Sequence, residues 1–165
     1  MQNQEDNMFE KSVVFTCGKE EYAVPVGQVV SIEKVEQITP IPHLPNYLLG
    51  YTRIRGELVP VIDFQVILYG QRTEGEQSRI VVMNTDVINF GLVVADAKEI
   101  LDISSDVLKQ LGLVSYAKTK YFTAVANFED RMITCVDPKV LVESLEGIRE
   151  IVNYMQTVEN TNVNA

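Results

Sequence analysis

The feature that most restricts what this chain can fold into is an internal repeat. Residues 90–100 (FGLVVADAKEI) align without gaps on residues 22–32 (YAVPVGQVVSI). The aromatic, the small residue after it and three apolar positions coincide. Two further matches keep the same order: residues 80–83 (IVVM) parallel 13–16 (VVFT), and 131–137 (RMITCVD) parallel 57–63 (ELVPVID), both of the latter runs ending in Asp. A pattern repeated in order implies two similar units. Their runs are short, rich in β-branched residues and punctuated by Gly and Pro, which points to small barrels or sandwiches.

Residues 12–17 (SVVFTC) and 22–26 (YAVPV) read as strands around a turn at 18–21, with Pro25 marking a strand end. Residues 28–36 are open between a short helix and a strand: Val29, Ile32 and Val35 fall three apart, while Val30 breaks simple alternation. Pro40, Pro42 and Pro45 each remove a backbone donor and make 38–45 an extended loop. Residues 51–55 and 58–64 read as a hairpin around Gly56 and Glu57, with Gly56 supplying the positive φ of a tight turn. The polar stretch 70–77 reads as the connection between the two units. At the end of the chain, Asp137 and Pro138 form a helix start. Leu141, Leu145, Ile148, Val152 and Met155 then share one apolar face, with Gly147 as a place for a kink.

The expected organisation is an ordered domain over 9–155, with a first unit at about 15–75 and a second at about 78–137. The first strand and a C-terminal helix over 138–155 pack on them. Residues 1–8 and 156–165 are expected to be flexible tails, too polar to offset the entropy of ordering.

A chain of 165 residues, 46% hydrophobic, can bury a core without a metal or a disulfide. Its net charge of −9 lacks the positive signature of a phosphate-binding surface, so nucleic acid and anionic membrane are disfavoured as partners. No apolar run approaches the ~20 residues of a membrane helix, and the first eight residues have no signal-peptide pattern. A cytoplasmic protein with no direct membrane insertion is expected. Cys17 and Cys135 each lie in an apolar run and are expected to be buried thiols.

The search for catalytic groups yields little. His43 is the single histidine and lies between Pro42 and Pro45, without the company that a metal site or a Cys/His dyad needs. There is no Gly-rich phosphate loop, GxSxG or HExxH motif. Asp63 and Asp137 occupy equivalent repeat positions at strand ends. A catalytic carboxylate pair must lie within about 5–9.5 Å, whereas repeat equivalence assigns them to separate units, where capping of the following turn or helix is the expected role. No cofactor and no metal are expected. A small hydrolase using these acids is one competing reading. A barrel binding single-stranded nucleic acid is another, opposed by the charge and the absence of Trp. Arg53 and Arg55, two apart on one strand face, fit either a solvated face or a binding face that offers a guanidinium fork to a carboxylate.

The segment 50–64, GYTRIRGELVPVIDF, resembles the signature of the CheW family, Gly-x-x-Asn-Leu-Arg-Gly-x-x-Val-Pro-Val-x-Asp-Leu. Gly50, Arg55, Gly56, Val59, Pro60, Val61 and Asp63 all fit it. The runs FTCGKEEYAVPVGQVVSI and FGLVVADAKEIL fit the family's opening strands and their second-half counterpart, so the resemblance runs from about Phe9 to Val142. It implies a mainly β fold of two five-stranded, SH3-like barrels sharing a core. It implies a non-enzymatic scaffold that binds the regulatory domain of the CheA histidine kinase and the cytoplasmic tip of methyl-accepting chemoreceptors, in flagellar taxis or in another chemosensory system such as pilus motility. The receptor surface would be lined or flanked by Val29, Ser31, Arg55, Arg79 and Ile80, with Ile32 and Gly56 adjacent; no residue is assigned to the kinase contact. Three positions depart from the family: Arg53 replaces a usual Asn, Ser31 a common Glu, and Ala95 a common Asp.

Overall fold

The structure is a computed structural model and describes residues 7–111 and 120–163, the side chains of 161–163 excepted. In chain order the elements are β1 (Lys11–Cys17), β2 (Glu20–Pro25), β3 (Val29–Lys34), β4 (Leu48–Ile54), β5 (Glu57–Asp63) and α1 (Phe64–Tyr69). Then follow β6 (Arg79–Met83), β7 (Phe90–Val94), β8 (Asp96–Asp102), β9 (Leu108–Gln110), β10 (Phe122–Asn127), β11 (Met132–Val136), α2 (Pro138–Ser144) and α3 (Ile148–Val163). No helix among the described residues is long and apolar enough to cross a membrane.

The strands form two sheets, ordered β8-β1-β2-β11-β10-β9 and β3-β6-β7-β5-β4. The repeat is written into both. Under the sequence match β1, β2 and β3 correspond to β6, β7 and β8, and β5 to β11. The five-stranded sheet then takes three strands from the first repeat and two from the second, and the six-stranded sheet takes two from the first and four from the second. The hairpin β1–β2 pairs antiparallel within itself, then parallel to β11 through Ala23 and Cys135. Hairpin β6–β7 does the same with β5, through Leu92 and Ile62.

This exchange corrects the division of the chain near residues 75–78. Strands β1 and β2 belong with β8–β11, and β6 and β7 belong with β3–β5. Pro25 ends β2 and a 3-10 turn over Val26–Gln28 redirects the chain, so β3 leaves the sheet of β2 and joins β6. The segment that was open between helix and strand is thus an edge strand. One sheet also carries a sixth strand, the three-residue β9, which pairs only with β10.

Side chains alternate across each sheet with the period of two that strands impose. In the five-stranded sheet, Val59, Val61, Ile80, Val82 and Val93 form an interior cluster, while Ile62, Val81, Met83, Leu92 and Val94 turn the other way. In the six-stranded sheet, Val14, Ala23, Ala124, Ile133 and Cys135 line the interior, and Val13, Phe15, Tyr22, Val24 and Val136 turn out. The outward sets meet in one shared core. Phe64 sits edge-on to Phe15 and Tyr22, with ring centroids 5.6 and 5.2 Å apart, a geometry that adds about 0.5–1.5 kcal/mol per pair beyond area burial. Two covered faces explain why β7 is buried along its whole length.

The repeated acids cap helices. Asp63 Oδ1 accepts from Gln65 N at the start of α1, and Asp137 Oδ1 accepts from Lys139 N and Val140 N at the start of α2. The apolar face over 141–155 is two helices, because the chain breaks between Ser144 and Ile148, where Gly147 has φ 84°. Leu141, Val142, Ile148, Ile151 and Met155 close the shared core.

The segment expected as a tail from 156 is instead helical as far as Val163. Buried Ile151 and Met155 anchor α3, and each further residue then adds a hydrogen bond without a new nucleation cost. At the other end, Asn7 and Met8 are part of the folded body: Asn7 Nδ2 donates to Ile103 O at 2.9 Å, and Met8 precedes buried Phe9. The expectation of flexibility for residues 1–6 and 164–165 lies outside the described residues.

Candidate partner-binding surface

Strands β3 and β4 are the two ends of the five-stranded sheet, and each has a single partner within it. The chain leaving β3 runs along β4: Thr39 N donates to Tyr51 O at 2.8 Å, and Tyr51 N donates to Thr39 O at 2.9 Å. This approach depends on Gly50, where a Cβ would lie 2.0 Å from Thr39 O. The two ends of the sheet are thereby held beside each other with a cleft between them. It has a volume of about 270 Å³, with Glu33 and Lys34 from β3 on one wall and Arg53, Ile54 and Arg55 from the β4 side on the other. Ile80 forms part of its floor. A second cleft of about 710 Å³ adjoins it, and Glu36, Thr52 and Arg53 belong to both.

The hairpin tip above the cleft is a two-residue turn of Arg55 and Gly56, one residue earlier than the sequence pattern placed it. Both residues have positive φ, 54° and 86°, as a type I′ turn requires. Glycine meets that requirement at Gly56 without strain, whereas Arg55 adopts a conformation that L side chains rarely occupy. Residues held in such regions cluster at binding sites. Arg55 is exposed, and among the described residues neither it nor Arg53, Arg79 or Lys34 forms an ion pair. Arg53 Nη1 donates to Gly56 O at 3.1 Å, across its own turn. Arg79, paired in register with Lys34, donates through Nη1 to Ser78 O at 2.8 Å and to Glu76 O at 3.2 Å.

The surface residues implied by the family resemblance thus fall into three groups. Arg55 and Gly56 form the tip beside the cleft, and Arg79 is at its β6 rim. Ile80 is 2% exposed and packs with Val59 and Val93, so it supports the surface from below and offers little area to a partner. Val29, Ser31 and Ile32 run along β3. Val29 packs against the shared core and Ile32 is outward. The buried Ser31 Oγ has no hydrogen-bond partner among the described residues. Sequence reasoning missed Val30, which lies on the outward face with Ile32; they are 47% and 43% exposed. Strand parity was the available signal, because Val30, Ile32 and Lys34 alternate outward along β3. The repeat supplies a counterpart to Ile32: Ile100, on edge strand β8, is 62% exposed.

The catalytic alternative finds no support in the positions of the acids. Asp63 is fully buried and accepts from Gln65 N, Thr73 N and Thr73 Oγ1, while Asp137 holds the start of α2. His43 is exposed in the proline loop, and no group of three or more metal-ligating side chains occurs among the described residues.

The model of the CheW-like domain matches residues 11–146. The chain belongs to that family. The CheW-like match spans both sheets and the first C-terminal helix. Among curated relatives, the chemotaxis protein CheW of Klebsiella aerogenes is 29% identical over 140 residues, covering 81% of this chain and 82% of the relative. Protein FrzA of Myxococcus xanthus is 32% identical over 80 residues, 48% of this chain and 50% of that protein. Among solved structures, the scaffolding protein TtCheW from Thermoanaerobacter tengcongensis superposes with a TM-score of 0.75 at 28% identity, covering 84% of this chain and 94% of that one. CheW-like proteins are non-catalytic adaptors, and the capping roles of Asp63 and Asp137 agree with that.

Proposed function

We propose that this protein is a chemotaxis coupling scaffold that joins the cytoplasmic tip of methyl-accepting chemoreceptors to the regulatory domain of a CheA-type histidine kinase. The observation that carries this reading is the repeat's geometry within a CheW-like fold. Two equivalent edge strands, β3 with Val30 and Ile32 and β8 with Ile100, expose apolar side chains on different sheets. An adaptor needs two surfaces, and these edges supply the apolar patches on which affinity rests, with a few polar contacts to set register. The receptor side is assigned to the β3 edge and the Arg55–Gly56 tip. The protein then works in the cytoplasm, without inserting into the membrane.

Arg55→Ala tests the assignment. It is expected to weaken capture of a receptor cytoplasmic fragment while the circular dichroism spectrum stays that of the wild type. Unchanged capture would remove Arg55 from the site. A second reading places the same scaffold in a non-flagellar chemosensory system. The partial likeness to FrzA and the departure at Arg53 support it. The receptor that co-purifies with the protein from its native cell separates the two.

A further inference from the structure

We propose that Arg53 is a specificity-determining contact of this surface, recognising a carboxylate on an acidic segment of the receptor tip. The inference rests on the receptor-coupling reading above and adds a partner chemistry to it. Four observations converge on Arg53. With Glu36 and Thr52 it borders both adjoining clefts, so a segment that occupies the two together passes beside it. It is exposed and forms no ion pair among the described residues, although Glu33 and Glu36 line the same cleft. One of its nitrogens is already tied to Gly56 O, which restricts the swing of a long side chain and ties it to the turn that carries Arg55. Among the described residues, its other N–H groups have no hydrogen-bond partner. A guanidinium restricted in this way loses less rotamer entropy on binding and presents the fork that a carboxylate meets with two parallel hydrogen bonds.

The surroundings favour an acidic partner over a basic one. Lys34, Arg55 and Arg79 are nearby cations, equally free of ion pairs among the described residues. Set against Glu33 and Glu36 in the same cleft, these three cations and Arg53 leave this corner positive in a chain whose net charge is −9, so an acidic segment meets less repulsion here than the molecule as a whole imposes. A neutral residue at position 53 would retain the turn but not the charge. The identity of the side chain here therefore selects among receptors whose tips differ in acidity.

The experiment measures binding of receptor cytoplasmic-tip fragments encoded in the same genome, by titration calorimetry at low and high salt. The proteins are the wild type, Arg53→Asn, Arg53→Glu, and Lys109→Glu as a charge-matched control on the other sheet. Arg53→Asn is expected to weaken binding about tenfold and Arg53→Glu further, as for loss of a charge-assisted bond. Lys109→Glu should match the wild type, and the wild type's advantage over Arg53→Asn should shrink in high salt. Replacing acidic residues of the tip by Lys, one at a time, should give one variant that restores binding to Arg53→Glu. Wild-type binding that Arg53→Glu leaves intact, or reduces no more than Lys109→Glu does, would overturn the role of Arg53 and leave the coupling reading standing. If no tip fragment binds the wild type, the coupling reading falls and this inference falls with it.

Discussion

Asp63 and Thr73 are joined twice: one carboxylate oxygen accepts the Thr73 backbone N–H at 2.8 Å, and the other accepts its hydroxyl at 2.7 Å. The same carboxylate accepts from Gln65 N at 3.0 Å. One buried acid therefore starts α1 and also fastens the polar connection that leads to β6. Asp63→Ala removes three bonds to a charged acceptor and is expected to cost about 2–4 kcal/mol. Thr73→Val removes one and should cost about 1–2 kcal/mol. Urea denaturation followed by circular dichroism measures both. A loss below about 0.5 kcal/mol for Asp63→Ala would show that these bonds do not hold the connection.

Gly50 and Gly56 give opposite expectations although both have positive φ. A Cβ at Gly50 would meet Thr39 O at 2.0 Å and Pro40 Cα at 2.9 Å, backbone atoms that no rotamer change can move. At Gly56 it would meet nothing within 4 Å. Gly50→Ala should destabilise by more than about 2 kcal/mol and pry apart the two ends of the five-stranded sheet. Gly56→Ala should cost about 1 kcal/mol. Equal midpoint shifts for the two variants would contradict the close crossing of 37–40 over β4.

Much of this was legible in advance, for identifiable reasons. The repeat showed in local pattern because equivalent strands bury equivalent faces, and the paired caps showed because Asp before a turn satisfies exposed N–H groups. The exchange of strands between sheets did not show. Alternation along 22–32 states which side chains are buried, but it does not state which sheet edge accepts each strand. Pro25 signals an end and not a destination. The burial of Ile80 was hidden likewise, since family position places it near a surface while its strand parity points it into a barrel. Helix α1, six residues long, is too short for periodicity to reveal.

Arg131, just before β11, links three strands as a donor: it donates to both oxygens of Glu21 on β2, at 3.0 and 2.8 Å, and to Glu99 on β8 at 2.7 Å. Hydrogen bonds and charge from Arg131, with help from Lys98, hold the Glu21 carboxyl below its usual value of 4.5. A carboxyl depressed in the folded state adds stability that is fully present above the unfolded value and is lost as pH falls through the folded one. Stability measured from pH 6 downward should therefore begin to decline near pH 4.5 and continue below it. Glu21→Gln should remove part of that decline. An unchanged acid limb in Glu21→Gln would assign the decline to other carboxyls.

Cys17 and Cys135 lie in different apolar clusters, the shared core and the interior of the six-stranded sheet, and both are fully buried. Burial pushes each thiol up to about 12. At pH 8 the reactive thiolate is scarce and unreachable. A disulfide-exchange reagent should label neither in the native protein and both in denaturant. Rapid labelling of the native chain would mean that one of the two clusters opens.

On the function proposed above, one chain offers two separate partner surfaces through its repeat. The most direct test mixes the protein with a receptor cytoplasmic-tip fragment and the regulatory domain of the kinase from the same genome, and measures the mass of the complex by light scattering after size exclusion. A ternary complex is expected, in which this chain bridges the other two and neither partner displaces the other. Competition of both partners for a single site, or association of neither, would contradict it.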